Sequence, residues 1–147
     1  MDPLFHHILV PIDGSGASLQ AVQMALHIVQ LCPSCQITVL YVIDKLVLNE
    51  LARFSRRGEK EVEAELEEQG RRYLDLARKD AAGQGVTVDC QTAKGDPFEE
   101  IVAKANSLRA DLIVMGHTGR RGTTRVLIGS VTQRVLDYAP CPVLVMR

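Results

Sequence analysis

The sequence contains 147 residues, of which 46% are hydrophobic and 24% are charged, and its formal net charge is -1. This composition is typical of a globular domain, and a chain of this length buries enough surface to fold without a metal ion or a disulfide. The near-neutral charge argues against nucleic acid and anionic membranes as partners. No apolar run approaches the ~20 residues of a membrane span, and the amino terminus has neither a basic leader nor a signal-like apolar stretch. We therefore expect a single cytoplasmic domain over residues 1–147.

Short apolar runs alternate with segments of helical periodicity along the chain. The runs predict five strands, at His7–Ile12, Gln36–Val42, Val86–Thr92, Leu112–Met115 and Pro142–Met146. Apolar spacings of three and four residues predict the helices between them, which are Ala17–Leu31, Glu59–Ala82, a helix opening at Asp96, and Ser130–Tyr138. Mostly uncharged strands that alternate with helices predict a three-layer α/β protein, with a parallel sheet covered on both faces. The charge in the third strand marks it as a sheet edge.

Two segments of the chain differ in how clearly their residues indicate a structure. The helix at Asp96 has a recognisable start, because aspartate is a favoured cap, proline suits the first turn and a glutamate three positions on completes a capping box. The stretch Asp44–Gly58, in contrast, is interpreted as one long irregular connection. It either covers a ligand, contacts a partner or is solvated at the surface through its arginines Arg53, Arg56 and Arg57.

Cys32 and Cys35 have the CxxC spacing of redox and zinc sites. The pair follows a predicted helix instead of opening one, so the helix dipole does not lower the thiol pKa as it does in thioredoxin-like proteins. A structural zinc site needs a second pair of ligands, and the sequence has none with this spacing. We interpret the segment as a helix-to-strand turn without redox function, and we expect Cys90 and Cys141 to be small core residues.

Ligands of open parallel sheets bind beyond the carboxyl ends of the strands, at the point where the strand order reverses. In this chain the relevant strand ends are marked by Asp13, Val42 and Gly116. These three positions therefore define where a ligand is expected.

The segment from Gly116 to Ser130 has the composition of a phosphate-binding loop. A glycine directly after a strand lets the backbone turn tightly and approach a ligand, and Gly129-Ser130 begins a helix whose first amides favour an anion. The Walker loop needs a lysine followed by serine or threonine after its last glycine, and the dinucleotide fingerprint needs GxGxxG after an early strand, so neither pattern fits. On glycine content alone, phosphate binding and a merely structural loop are both open. The loop is basic, through Arg120, Arg121 and Arg125.

At these residues the sequence resembles the universal stress protein family, and the resemblance covers essentially the whole chain. The nucleotide-binding branch of that family carries two glycines separated by two residues, then nine residues, then a glycine and a serine or threonine. The spacing is matched in full by Gly116, Gly119, Gly129 and Ser130. The flanking segments are also similar to the family's, namely Val10–Ser15, Ala110–Gly116 and Cys141–Val145.

The resemblance implies a doubly wound, Rossmann-like sheet of the adenine nucleotide alpha hydrolase-like type, with five parallel strands in the order 3-2-1-4-5. It also implies ATP, with or without magnesium, across the ends of strands one, two and four. Asp13 is expected at the ribose or adenine edge, the backbone of Val42 at adenine, and the glycines at the phosphates. The full set of residues implied around the nucleotide is Pro11, Ile12, Asp13, Val42, Met115, Gly116, His117, Gly119, Arg120, Gly129, Ser130 and Val131.

Several of these roles have an alternative. Asp13 is otherwise a helix cap, Val42 a plain core position, and His117 an exposed loop histidine instead of a contact to phosphate or magnesium. The family also implies a homodimer, formed by antiparallel pairing of the last strand over Val143–Met146, which satisfies an otherwise unpaired edge. The alternative is that the carboxyl terminus folds over its own edge.

A complete phosphate loop without a catalytic set indicates binding without rapid turnover. The four histidines are scattered, and Ser130 has no base nearby in the sequence. We therefore expect an ATP-binding universal stress protein that acts as a nucleotide-dependent stress-response or signalling module and signals to a protein partner that the sequence does not name. The alternatives are a slow ATPase or nucleotide hydrolase on the same fold, and a dimeric interaction protein that binds no nucleotide.

Overall fold

The sheet of the computed structural model, which describes residues 2–118 and 128–147, has five strands in the order β3-β2-β1-β4-β5. All four pairs of neighbours are parallel. The fold class and the strand order expected from the sequence are therefore confirmed. The strands are β1 His7–Ile12, β2 Gln36–Asp44, β3 Asp89–Gly95, β4 Leu112–Gly116 and β5 Val143–Met146. The helices are α1 Gly16–Leu31, α2 Lys45–Ser55, α3 Glu59–Gly83, α4 Pro97–Leu108 and α5 Ser130–Tyr138.

Helices cover both faces of the sheet and divide the core into two main apolar clusters. Alternation along β1 sends Ile8 and Val10 to one face and Leu9 to the other, as the period of two in a strand requires. The first face packs on α1 and α3, and the second on α4 and α5. The result is the predicted three-layer arrangement, in which the strand ends lie at the edges of the sheet where side chains and loops are free to form a site.

β3 begins three residues later than the sequence predicted. The residues after α3 complete the end of that helix, because the Val86 amide donates to the Ala81 carbonyl at 2.9 Å and Gly85 takes a left-handed φ of 73°. Pairing with β2 starts only at Asp89 and continues to Gly95. The predicted bounds of β3 were wrong, although its place at the edge of the sheet is confirmed.

The expectation of an irregular connection from Asp44 to Gly58 was also wrong, because most of that stretch is the helix α2. The Asp44 carboxylate accepts a hydrogen bond from the Leu46 amide at 2.9 Å and so caps the helix. Leu48 and Ala52, four residues apart, are buried and form a small third apolar cluster with Val62 of α3. Burial of this narrow stripe against α3 stabilises the helix.

The remaining boundaries agree more closely with the sequence. α5 has its predicted bounds, and β2 continues two residues further than predicted, to Asp44. The Asp96 carboxylate caps α4 by accepting from the Glu99 amide at 3.1 Å. Among the described helices, none is long and apolar enough to cross a membrane.

The CxxC segment forms the expected turn between α1 and β2. Cys32 follows the last residue of α1, and the Cys35 amide donates to the Cys32 carbonyl at 3.0 Å. Both thiols are free. Burial, followed by the proximity of Cys32, raises the pKa of the Cys35 thiol to about 11, so this sulfur is a poor nucleophile at neutral pH. Within the described ranges, no cluster of three or more metal-ligating side chains is found.

The amino-terminal edge of the sheet is tied together by Asp111. Its carboxylate accepts hydrogen bonds from the backbone amides of His6 at 2.8 Å and His7 at 3.0 Å, and its Oδ2 lies 3.2 Å from the His6 ring. Partial burial opposes ionisation, but these hydrogen bonds outweigh it and lower the pKa of the Asp111 carboxyl below its ordinary 3.8. The charged carboxylate therefore holds the start of β1 to the start of β4.

Replacing Asp111 with alanine removes these bonds, and we expect a loss of about 1–2 kcal/mol in the free energy of unfolding at neutral pH. Hydrogen bonds to a charged group stabilise a fold more than neutral ones do, but partial exposure of this site reduces their contribution. The folded-state pKa is depressed, so the stabilisation is present above the ordinary value of 3.8 and is lost as pH falls through the folded value. Urea unfolding at neutral and acidic pH measures this. Asp89→Ala, on the edge strand, is the control; equal losses in both variants would contradict the assignment.

Candidate functional site

The three strand ends singled out in the sequence lie at one edge of the sheet. β1 is hydrogen-bonded to β2 on one side and to β4 on the other, and all three run in the same direction. The turn at Asp13, the end of β2 beyond Val42 and the end of β4 at Gly116 are therefore neighbours. This is the edge where the order of connections reverses, as required for a ligand site in this type of sheet.

The turn from β1 into α1 is built from short polar contacts. An Asp13 carboxylate oxygen accepts from the Ser15 amide at 2.9 Å, and the Ser15 hydroxyl accepts from the Ser18 amide at 3.2 Å. Ser15, not Asp13, is the cap of α1. The helix-cap alternative for Asp13 is therefore wrong, and the half-buried carboxylate instead shapes the turn at the edge of the sheet.

Gly14 closes this turn under an aromatic ring that the sequence reasoning did not assign to the site. Its φ is 84°, in the left-handed region, and a Cβ placed there would lie 2.2 Å from Cζ of Tyr73 in α3. The Tyr73 ring centroid is 6.1 Å from that of Tyr41 near the end of β2. Tyr73 lies within the helix predicted over Glu59–Ala82, but its position over Gly14 depends on how α3 crosses the sheet and has no signal in the local sequence.

Gly116 is required by packing inside the chain. A Cβ at this position would lie 2.7 Å from the Ala17 Cβ, 2.9 Å from the Ala17 carbonyl carbon and 3.0 Å from the Ser18 amide nitrogen. The glycine lets the first turn of α1 close directly on the end of β4. The sequence reasoning attributed this glycine to the approach of a ligand, and the structure adds the approach of a helix.

The two ends of the glycine-rich segment are held together. The His117 amide donates to the Met146 carbonyl at 2.6 Å, and the His117 carbonyl accepts from the Gly129 amide at 2.6 Å. The Thr132 hydroxyl in α5 donates to the Gly116 carbonyl at 2.9 Å. The start of α5 is thereby fixed beside the end of β4. Gly119 and Arg120 lie outside the described residues.

The His117 side chain is anchored too. Its Nδ1 is 3.1 Å from the Met146 carbonyl oxygen, which also accepts from the His117 amide. The residue is half-buried. The alternative of an exposed loop histidine is therefore wrong, and one ring nitrogen is engaged with the last residue of β5.

Among the described residues, none caps the amino terminus of α5 with a side chain. Gly129 occupies the cap position and supplies no side-chain hydrogen bond, and Ser130, the first helical residue, is exposed. The leading amides of a helix have no acceptor within the helix and carry partial positive charge. The arrangement can therefore bind an anion with backbone groups and the Ser130 hydroxyl.

The other predicted residues line the same edge from within the core. Pro11, Ile12 and Met115 are buried. Val42 and Val131 are half-buried and pack on the α4–α5 side of the sheet. The side chain of Val42 thus fits its core alternative, and the residue lies inside β2, in register with Ala93 of β3.

A comparison with known proteins identifies the family. A model of the universal stress protein family matches residues 4–147. The chain belongs to the universal stress protein family. It is 37% identical over 145 residues to "Universal stress protein MJ0531" of Methanocaldococcus jannaschii, a match that covers 98% of this chain and 83% of the relative.

Solved structures of universal stress proteins and their relatives share the fold of this one. The structure of protein MJ0577 has a TM-score of 0.85 and is 29% identical in sequence to this chain. The match covers 97% of this chain and 96% of the MJ0577 chain. A universal stress protein family member from Arabidopsis thaliana with AMP bound is 19% identical, with a TM-score of 0.65 and coverage of 96% of this chain and 90% of its own. At 19% identity, the similarity to the Arabidopsis protein shows a shared fold.

Replacing Gly116 with alanine inserts a Cβ against α1, and we expect a loss of about 1–3 kcal/mol in unfolding free energy, as for other overpacked sites. Adding Ala17→Gly removes the opposing methyl group, and in a double-mutant cycle it should restore part of the lost unfolding free energy. The matched control is Gly83→Ala, because a Cβ there meets nothing within 4 Å. A Gly116→Ala variant as stable as the Gly83→Ala variant in urea would show that the contact is loose.

Proposed function

We propose that this universal stress protein binds an adenine nucleotide, ATP in the first place, across the carboxyl ends of β1, β2 and β4. The observation that carries the proposal is the clamped connection between β4 and α5. Hydrogen bonds from Gly129 to His117 and from Thr132 to Gly116 fix the amino terminus of α5, which Gly129 leaves without a side-chain cap, beside the strand ends. A phosphate chain is the ligand best matched to such a helix terminus.

The residues divide between the two ends of a nucleotide. At the nucleoside end, the Asp13 carboxylate is the group for ribose or the adenine edge, Pro11 and Ile12 form the wall, and the backbone of Val42 faces the base. The AMP bound to the Arabidopsis relative supports an adenine nucleotide as the ligand of this fold. At the phosphate end, the expected groups are Met115, Gly116, His117, Gly119, Arg120, Gly129, Ser130 and Val131.

The nucleotide is proposed to be bound without rapid hydrolysis. The His117 Nδ1 contacts the Met146 carbonyl, so one ring nitrogen of the histidine nearest the phosphate segment makes a structural contact. Magnesium, if it accompanies ATP, is expected on the phosphates. A nucleotide that is held and not consumed suits a stress-response or signalling module that reports nucleotide occupancy to a partner.

Denaturing the purified protein and separating the released small molecules by chromatography tests the central claim. We expect an adenine nucleotide to be released, and ATP added to stripped protein to bind in calorimetry. If no nucleotide copurifies and ATP fails to bind even at millimolar concentration, the proposal is wrong. A magnesium-dependent turnover assay on the same sample separates a holding module from a slow hydrolase.

Ser130→Glu is a sharper test than a change at Gly116, because Gly116 also supports the packing of α1. A carboxylate in the first turn of α5 interacts favourably with the helix dipole but repels phosphate, so we expect ATP binding to weaken at least tenfold with no loss of thermal stability. Ser34→Glu adds the same charge to an exposed position in the turn before β2, at the opposite edge of the sheet. Equal ATP affinities in the two variants would place the phosphates elsewhere.

We also propose a homodimer that pairs β5 of two copies in antiparallel orientation. β5 is the last strand of the sheet, and Leu144 at its centre is 37% exposed. Pairing supplies partners for the outer backbone groups of this edge strand. Leu144→Lys brings two like charges together across the pair, which destabilises it. For Leu144→Lys we expect the molar mass in sedimentation to halve. Leu31 is exposed at the end of α1, and the control variant Leu31→Lys should leave the molar mass unchanged.

A further inference from the structure

The side chain of Tyr73 in α3 covers the turn that carries Asp13. A Cβ built on Gly14 would lie 2.2 Å from Cζ of the Tyr73 ring and 2.5 and 2.7 Å from its two Cε atoms. The hydroxyl end of the ring therefore fills the volume that a side chain at position 14 would need. Tyr73 is half-buried, so α3 supplies a cover for this turn at the edge of the sheet.

A second tyrosine and a second glycine make the reverse contact. Gly70 lies in the middle of α3, where glycine weakens a helix, and a Cβ there would lie 2.2 Å from Cδ1 of Tyr41. Tyr41 is buried in β2 and is in register with Ile12, the last residue of β1. An aromatic ring of α3 thus lies on a glycine of the β1–α1 turn, and an aromatic ring of β2 lies on a glycine of α3.

These two contacts fix where α3 lies along the sheet. Gly70 and Tyr73 are three residues apart and so share one face of the helix. The centroids of the Tyr41 and Tyr73 rings are 6.1 Å apart and their planes are tilted by 54°, which is a favourable arrangement for an aromatic pair. The place of the Tyr73 ring over Gly14 is therefore set by packing against β2.

Gly14 is the part of the turn on which the orientation of Asp13 depends. Its φ is 84°, and glycine has more conformational freedom than any other residue. The Asp13 carboxylate reaches past Gly14 to accept from the Ser15 amide at 2.9 Å. The Ser18 hydroxyl holds the helix side of the turn by donating to the Ser15 carbonyl at 2.9 Å. The Tyr73 ring closes the turn at Gly14 itself.

We propose that Tyr73 is a positioning residue for the nucleoside end of the nucleotide site. Its ring keeps Gly14 in place, and Gly14 in turn keeps the Asp13 carboxylate in the orientation that meets the ribose or the adenine edge. This role rests on the proposed function, in which Asp13 contacts the nucleoside. It adds α3 to the elements on which affinity depends, whereas the phosphate end at the start of α5 is independent of the ring.

ATP affinity of Tyr73 variants, measured by calorimetry, tests this role. Tyr73→Ala releases the turn, and we expect it to weaken ATP binding at least fivefold. Tyr73→Phe keeps the ring over Gly14 and should bind ATP within twofold of the unchanged protein. Should Tyr73→Ala fail to fold, Tyr73→Leu keeps an apolar side chain in the core without a ring over Gly14 and should show the same loss.

Leu66→Ala is the matched control for a loss of stability alone. Leu66 is a half-buried residue of the same helix and packs against the cluster formed by α2 and α3. Its truncation should lower the thermal unfolding midpoint and leave the ATP affinity unchanged. Thermal unfolding of every variant gives the loss of stability against which the loss of affinity is compared.

Double-mutant cycles separate an action through Asp13 from a general effect on the site. Asp13→Asn keeps an oxygen that accepts from the Ser15 amide but removes the charge. In that background, Tyr73→Ala should weaken ATP binding by less than a further twofold, because the contact that the ring positions is already lost. Combined with Ser130→Ala at the phosphate end, Tyr73→Ala should keep its full effect.

The role of Tyr73 is overturned if Tyr73→Ala binds ATP as tightly as the unchanged protein, or if Tyr73→Phe or Leu66→Ala loses as much affinity as Tyr73→Ala. Additive effects of Tyr73→Ala and Asp13→Asn would overturn it as well. An unchanged protein that binds no ATP would refute the proposed function and this role together. ATP binding that is insensitive to Tyr73 would refute this role alone.

Discussion

The close contact between the first turn of α1 and the end of β4 positions the rest of the candidate site. Gly116 has no Cβ, and α1 therefore packs where that atom would stand. The carbonyl of the same residue accepts from Thr132 and holds the first turn of α5. One position thus brings two helix amino termini to the middle of the sheet edge. A larger residue would displace both helices, so packing and site geometry depend on the same small volume.

The parts of the structure that could be predicted from sequence are those with a local cause. β1 and α5 were found at their bounds because an apolar run or a periodic face is followed directly by a turn or a proline. The cap at Asp96 was predicted from side-chain chemistry that acts within four residues. The strand order was implied by the family resemblance and is confirmed by the pairing.

The errors arose where distant contacts decide the structure. β3 was placed early because Val86 and Val88 have strand propensity, but the Val86 amide is used to end α3. α2 was missed because only two of its residues are buried by α3. The ring of Tyr73 over Gly14 and the anchoring of His117 by β5 depend on helix crossing and on strand pairing, neither of which leaves a local pattern. The loop contacts of Gly119 and Arg120 stay predictions.

The length of α3 makes the two sides of the candidate site unequal. Its 25 residues rise about 37 Å at 1.5 Å each, well beyond the span of the six residues of β1. Tyr73 meets Gly14 at the end of β1, and α3 runs back toward the start of the sheet from there. Its earlier turns continue beside β3 and α2, where Glu63 accepts a hydrogen bond from Lys94 and Val62 packs against Leu48 and Ala52. A molecule that reaches this edge therefore meets α3 and α2 on the β2–β3 side.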